Sequence, residues 1–151
     1  MAAWAGPLFT WPLDDSQLLY HIQDAGPVNA TLFPFSYGLP DGAPVGYGEL
    51  SRVNTISGSA SLSRIVISPE KRDRGLGRDM VAKLLEFGFQ ELGLHRIDLR
   101  VFTFNKPAIA CYQNLGFVHE GTLRETTRVD GKWWSSHVMS MLRSEWAARK
   151  K

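Results

Sequence analysis

Ser59-Ala60-Ser61-Leu62-Ser63-Arg64-Ile65-Val66-Ile67-Ser68, closed by Pro69, runs into Arg72-Asp73-Arg74-Gly75-Leu76-Gly77. The first part alternates polar and apolar residues and reads as a strand. Beyond the glycines, Met80, Val81, Leu84, Leu85, Gly88 and Leu92 fall on one stripe at helical spacing. A strand therefore feeds a basic, glycine-containing loop, and the loop opens a helix. A helix N-terminus offers unpaired N–H groups and about half a positive charge. Glycine lets an anion come close to that backbone. The stretch predicts an anion site, of a size for pyrophosphate. It lacks the Gly-Lys-Ser/Thr ending of a P-loop, and Met80 stands where the third glycine of a dinucleotide fingerprint would be. The plain alternative is a glycine turn with solvated arginines.

A second block lies about thirty residues downstream: Asn105-Lys106-Pro107-Ala108-Ile109-Ala110-Cys111-Tyr112-Gln113-Asn114-Leu115-Gly116-Phe117. Between the blocks, Ile97, Leu99 and Val101 alternate with Asp98, Arg100 and Phe102, a strand pattern. Arg72-x-x-Gly75-x-Gly77 after a Pro-terminated strand resembles the acetyl-CoA motif of the GNAT superfamily of N-acetyltransferases. Asn105-x-x-Ala108-x-x-x-Tyr112-x-x-x-Gly116-Phe117 resembles its later motif. Glu120-Gly121-Thr122-Leu123-Arg124 and Ser140-Met141-Leu142-Arg143-Ser144-Glu145-Trp146 resemble the subgroup of ribosomal-protein N-terminal and spermidine acetyltransferases. The resemblance spans about residues 45–146.

The 151 residues make one domain, long enough for a real core. A net charge of +2 argues against nucleic acid or a membrane surface as partner. A single cysteine, Cys111, excludes an internal disulfide. No signal peptide or membrane span is recognisable, so a cytoplasmic protein is expected. Exposed strand edges and the pair Trp133-Trp134 would suit a homodimer.

The pattern predicts an α/β chain with one central twisted mixed sheet of about six strands, flanked by helices. A first helix is expected from Asp14 or Asp15 to about Asp24. Strands follow near 31–37, 45–51 and 59–68, then a helix over 75–93 and a strand over 95–103. A helix over 105–115 and strands over 117–123 and 133–142 complete the order. Val129-Asp130-Gly131-Lys132 supplies the last turn.

The resemblance implies roles. Backbone groups of Ile65, Val66 and Ile67 would pair with the pantetheine arm of acetyl-CoA, though apolar side chains there also suit a plain core strand. Arg72, Asp73, Arg74, Gly75, Leu76 and Gly77 would cradle the pyrophosphate, with Arg78 adding charge and Asp73 turned to solvent. Asn105 would touch the cofactor, and it is equally a natural helix N-cap before Lys106-Pro107. Tyr112 would be the general acid that protonates the departing thiolate. A phenol with pKa ~10 and a thiol near ~8.5 make that transfer slightly uphill but feasible. Its plain alternative is core packing. Family members transfer acetyl directly to the amine. Cys111 therefore reads as a small buried hydrophobe, and the histidines show no metal-ligand spacing, so no metal is expected.

The base on the amine side is not legible. Some family members carry a glutamate on the strand before the Asn motif, and Arg100 stands at that position. Glu49, in Tyr47-Gly48-Glu49-Leu50, ranks first among the remaining candidates, ahead of Asp98 and Glu120; otherwise it is an exposed strand residue. An α-amine of pKa ~8 costs only ~1.4 kcal/mol to deprotonate at pH 7, against ~4.6 for a lysine-like amine. A site without a strong base leans to peptide N-termini or amino acid derivatives. A polyamine or an aminoglycoside is the enzymatic alternative. A non-catalytic acyl-CoA-binding module is the rival of another class.

Overall fold

The computed structural model describes residues 31–40 and 42–150. The helix expected between Asp14 and Asp24 lies outside them. The described strands are β1 (Phe33–Gly38), β2 (Pro44–Asn54), β3 (Ser59–Ile67), β4 (Arg96–Phe102), β5 (Val118–Val129) and β6 (Lys132–Leu142). The helices are α1 (Leu76–Glu86), α2 (Lys106–Leu115) and α3 (Arg143–Ala148). The strands form one sheet in the order β1-β2-β3-β4-β6-β5. Only β3 and β4 are parallel; every other neighbouring pair is antiparallel. A parallel pair needs a crossover, and α1 supplies it.

Each element follows from its residues. Ile97, Leu99 and Val101 of β4 point to the helix-covered face with Met139 and Met141 of β6. Met80, Val81, Leu84 and Leu85 of α1 close over them, each at most 2 % exposed. A fully buried Leu or Met contributes ~1.5–3 kcal/mol. The expected helix over 75–93 is α-helical only to Glu86, and a π-helical turn continues it from Phe87 to Glu91. A wider turn shifts the apolar stripe by about one residue. It sets Phe87 on Phe33 and Phe35, with ring centroids 5.6 and 4.9 Å away. It sets Phe89 on Trp146 of α3 at 5.4 Å. Gly88 stands over Ile97, where a Cβ would come within 2.6 Å of its Cδ1.

Beyond the core, β5 is longer than the pattern predicts because register shifts between His119 and Gly121 and between Leu123 and Thr127 break its alternation. Asp130 (φ 48) and Gly131 (φ 76) make the left-handed turn into β6. The Arg96 fork on β4 grips Glu120 on β5 across the intervening β6, at 2.8 and 2.6 Å.

Two outcomes test these connections. Gly116 ends α2 at φ +104, with its N–H on the Tyr112 and Gln113 carbonyls and the Arg149 stem 2.7 Å from where a Cβ would be. Gly116→Ala should cost about 1–2 kcal/mol and lower Tm by about 2–8 °C in thermal unfolding. The Arg96 hydrogen bonds, aided by one from Ser140, hold the Glu120 carboxyl down to about 2. A lowered folded-state pKa stabilises above the ordinary carboxylate value, and that contribution fades as pH falls toward the folded value. Glu120→Gln should therefore be less stable at neutral pH, by under about 1 kcal/mol because the pair is partly solvated. In chemical denaturation across pH, its deficit should close between about pH 4.5 and 2.

Candidate active site

β3 and β4 pair from Ser59↔Arg96 to Leu62↔Leu99 and then part. On its other side β3 stays bonded to β2, at Tyr47↔Val66 and Gly46↔Ile67. Among the described residues the inner edge of residues 63–67 is thus a strand edge without a neighbouring strand, and it faces a cavity of about 590 Å³. That is a ligand-sized volume. Ile65, Val66 and Ile67 line it, as do Arg72, Asp73, Gly75, Leu76 and Gly77 at its mouth. Asn105 and Tyr112 line it from α2. Arg74 and Arg78 are exposed beside the mouth and are not among its lining residues. A second depression, of about 690 Å³, lies over the irregular part of β5 at residues 122–126 and Ser135. It contains neither the glycine loop nor the Asn105–Phe117 block, and no helix N-terminus.

The mouth is built to leave donors open. Gly75 is the N-cap of α1 at φ 75, in the left-handed region that glycine enters without strain, and no side chain caps the helix. The first backbone bond into the helix is from Asp79 N–H to the Gly75 carbonyl. Among the described residues, the N–H groups of Gly75, Leu76, Gly77 and Arg78 donate to no protein acceptor. Nothing lies within 4 Å of a Cβ built on Gly75. Arg72 is exposed and donates its Nε to the Ile67 carbonyl at 3.1 Å, which leaves the rest of its guanidinium for a ligand. Asp73 is exposed at φ 60.

A β-bulge marks the root of the fork. Gly48 of β2 faces both Arg64 and Ile65, because the register moves from Tyr47↔Val66 to Glu49↔Ser63. Arg64 takes φ 51 there. Its Nη1 lies 2.7 Å from Oε2 of Glu49, whose side chain is fully buried. Tyr47 also donates to Glu49 at 2.6 Å, and the Ser63 hydroxyl is 3.4 Å away. Glu49 is therefore neither an exposed strand residue nor part of the cavity wall; Ser63 and Arg64 stand between it and the cavity. Asp98 accepts from Ser61 at 2.6 Å, and Glu120 is bound to Arg96. Neither lines the cavity.

On the α2 wall, Asn105 caps the helix, its Oδ1 accepting from Ala108 N–H at 3.3 Å. Its amide nitrogen stays available to the cavity. Tyr112 is 9 % exposed and packs edge-on against Phe117 at 5.7 Å. Burial raises its phenol above the ordinary value of 10. Among the described residues its hydroxyl has no hydrogen-bond partner, so it can donate to a ligand. Cys111 is half-buried, and burial also raises its thiol, with Arg78 acting weakly the other way. A raised thiol pKa is the reverse of what a cysteine nucleophile needs. Among the described residues no histidine lines the cavity; His119 and His137 face each other at 3.1 Å elsewhere on the sheet. No cluster of metal-ligating groups occurs among the described residues.

Sequence reasoning assigned no role in the site to Arg64, Lys71 or Phe102, which also line the cavity. The signal for Arg64 was a charge inside an apolar strand, at a position that alternation would place inward. Lys71 and Phe102 carry no such signal. Arg100, read only as a missing glutamate, lines the cavity as well.

The residues present fit coenzyme A. A glycine start with open N–H groups suits a pyrophosphate, an unpaired strand edge suits the amides of a pantetheine arm, and a buried phenol faces the same space. Known proteins resemble this chain in sequence and in fold. The chain is 34% identical over 105 residues to a spermidine N(1)-acetyltransferase of Vibrio cholerae, covering 70% of this chain and 60% of that protein. It is 31% identical over 111 residues to the Escherichia coli enzyme of the same name, covering 74% and 59%. The chain thus spans about 60% of the length of these curated relatives. A crystal structure of the Vibrio cholerae spermidine N-acetyltransferase in complex with CoA and spermine superposes with TM-score 0.78 at 30% identity, covering 87% of this chain and 75% of that one. A dodecameric form of that enzyme gives 0.78 at 29%, covering 90% and 76%. The model of the acetyltransferase (GNAT) family matches residues 1–117, and with the motifs, the sheet order and the forked strands this shows that the chain belongs to the GNAT family.

Proposed function

We propose that this chain is an acetyl-CoA-dependent N-acetyltransferase that moves the acetyl group directly to a primary amine. The observation that carries the reading is the fork between β3 and β4, with the open N-terminus of α1 at its mouth and Tyr112 on its wall. Acetyl-CoA supplies an acetyl group already activated as a thioester. The backbone edge of Ile65, Val66 and Ile67 holds the pantetheine arm as an added strand would be held. The N–H groups of residues 75–78 hold the pyrophosphate, and the cations of Arg72, Arg74 and Arg78 surround it. Asn105 contributes its amide nitrogen. A protein of this kind belongs in the cytoplasm, with no resident metal, and the open edge of β5 beside exposed Trp133 suits self-association.

Tyr112 donates its proton to the departing sulfur. Its raised pKa keeps it protonated throughout the pH range in which amines become neutral. Glu49 acts at one remove. Ser63 lines the cavity and reaches the Glu49 carboxylate, so a proton leaving the amine passes through that hydroxyl. A second reading keeps this chemistry with a polyamine as acceptor; it rests on the relatives named as spermidine acetyltransferases.

Tyr112→Phe should keep the rise in melting temperature that acetyl-CoA or desulfo-CoA produces, about 2.7 kcal/mol at 100 times Kd. Its kcat should fall by about 10²–10⁴-fold in a thiol-release assay. A chain that only bound acyl-CoA would show the same shift and no turnover in either form. NAD should give no shift. Glu49→Gln, which preserves shape, should lower kcat/KM near neutral pH. The deficit should close as pH rises past the acceptor's own pKa, where the amine no longer needs a proton acceptor; a deficit constant with pH would exclude the relay.

A further inference from the structure

Arg100 is a cation of the cavity that the phosphate loop does not explain. It follows Leu99, the last β4 residue paired with β3, so it stands at the root of the fork, level with Ser63. The root lies four strand residues below Ile67, roughly 13 Å from the end that carries the phosphate loop. Arg100 is exposed, lines the cavity, and lies on the sheet face opposite the core residues Leu99 and Val101. Arg64 is engaged by Glu49, and Arg72 turns its Nε to a carbonyl. Arg100 has no hydrogen-bond or ion-pair partner among the described residues.

Next to it on the same face is Phe102, which also lines the cavity. Phe104 stacks on Phe102 at 5.5 Å and 9°. Trp134 meets both rings edge-on, at 4.9 and 4.8 Å. An aromatic platform alone would receive an ammonium as readily as an apolar group. The guanidinium beside it decides the sign. Among the described residues the only carboxylate lining the cavity is Asp73, at the loop end. Tyr112 reaches the cavity from the helix-covered side, which leaves the Arg100 face to the amine.

We propose that Arg100 and Phe102, the latter backed by Phe104 and Trp134, form the acceptor subsite, and that it selects a small amine carrying a carboxylate and an aromatic or apolar group, as an aromatic α-amino acid does. This rests on the acetyltransferase reading of the fork. A guanidinium fork matches a carboxylate in two parallel charge-assisted bonds, and a ring packs against Phe102. The same guanidinium disfavours a neighbouring ammonium, which helps keep the reacting amine neutral and turns a polycation away.

The test uses the full chain with saturating acetyl-CoA and thiol release. The acceptors are L-phenylalanine, L-phenylalaninamide, L-alanine and spermidine, each with the unsubstituted protein and with Arg100→Gln. Near neutral pH the amide, being the less basic amine, is neutral in the larger fraction, so a preference for the acid there cannot come from amine protonation. The expected result is a kcat/KM for phenylalanine about tenfold to a hundredfold above those for the amide and spermidine. Arg100→Gln should erase that margin by raising KM for phenylalanine far more than KM for the amide. Phe102→Leu should narrow the preference for phenylalanine over alanine. Spermidine as best acceptor, an acid-to-amide ratio unchanged by Arg100→Gln, or no acetylation of any of the four would overturn the subsite. A melting shift with acetyl-CoA, run alongside, separates the two levels. If the shift is present, such results remove only the acceptor assignment; if it is absent, the acetyltransferase reading falls and the subsite with it.

Discussion

Two parallel strands that stop bonding to each other part-way along their length impose the constraint on which this structure depends. Beyond Leu62↔Leu99 the backbone of β3 has no β4 partner. Buried backbone groups without partners are costly, so such an edge persists where solvent or a ligand reaches it. The separation is held open from both sides. β3 is tied outward to β2 through Tyr47↔Val66, and β4 is tied outward to β6 through Val101↔His137 and Phe102↔Ser136. α1 and α2 then pack across the helix-covered face, bringing a helix N-terminus and a phenol to the same opening.

The bulge at the root of that opening has its own support. A left-handed Arg64 costs conformational energy that glycine would not. It is held because its guanidinium reaches a carboxylate buried beneath the sheet, which in turn takes a hydrogen bond from Tyr47. Gly48 opposite leaves room for Ile65, since a Cβ there would come within 2.7 Å of the Ile65 Cδ1. Removing one member of a buried ion pair strands the other charge, which is far more damaging than losing the pair's net contribution. Glu49 thus couples the interior of the sheet to the geometry of the cavity wall without touching the cavity.

Charge divides the cavity into two ends. At the mouth, a helix N-terminus, Lys71 and Arg72 make a field suited to phosphates. At the root, Arg100 stands beside an aromatic wall. The relatives share the fold with this chain, and their names concern spermidine.

Local pattern was enough to identify the elements and the mouth of the site. Alternation in residues 59–68, the helical stripe after Gly77, the Asp130-Gly131 turn and the Asn105–Pro107 helix start are signals between near neighbours in the chain, and each depends on backbone sterics or capping that act over a few residues. Extra residues in a strand and wider helical turns escape such reading. The shifts in β2, β3 and β5 and the π-helical turn at Phe87 arise because distant side chains, such as Ile97 under Gly88 or Phe33 on Phe87, must be accommodated. By itself, the sequence determined the strand–loop–helix with its glycine start and the placement of a tyrosine one turn before a helix-ending glycine. Only the tertiary structure decided that Glu49 lies buried against Arg64 instead of exposed, and that Arg100 and Phe102 line one cavity with Trp134 packed on Phe102. Those relations join residues on different strands, and register across a sheet is set by the packing of the whole, which no local window of sequence contains.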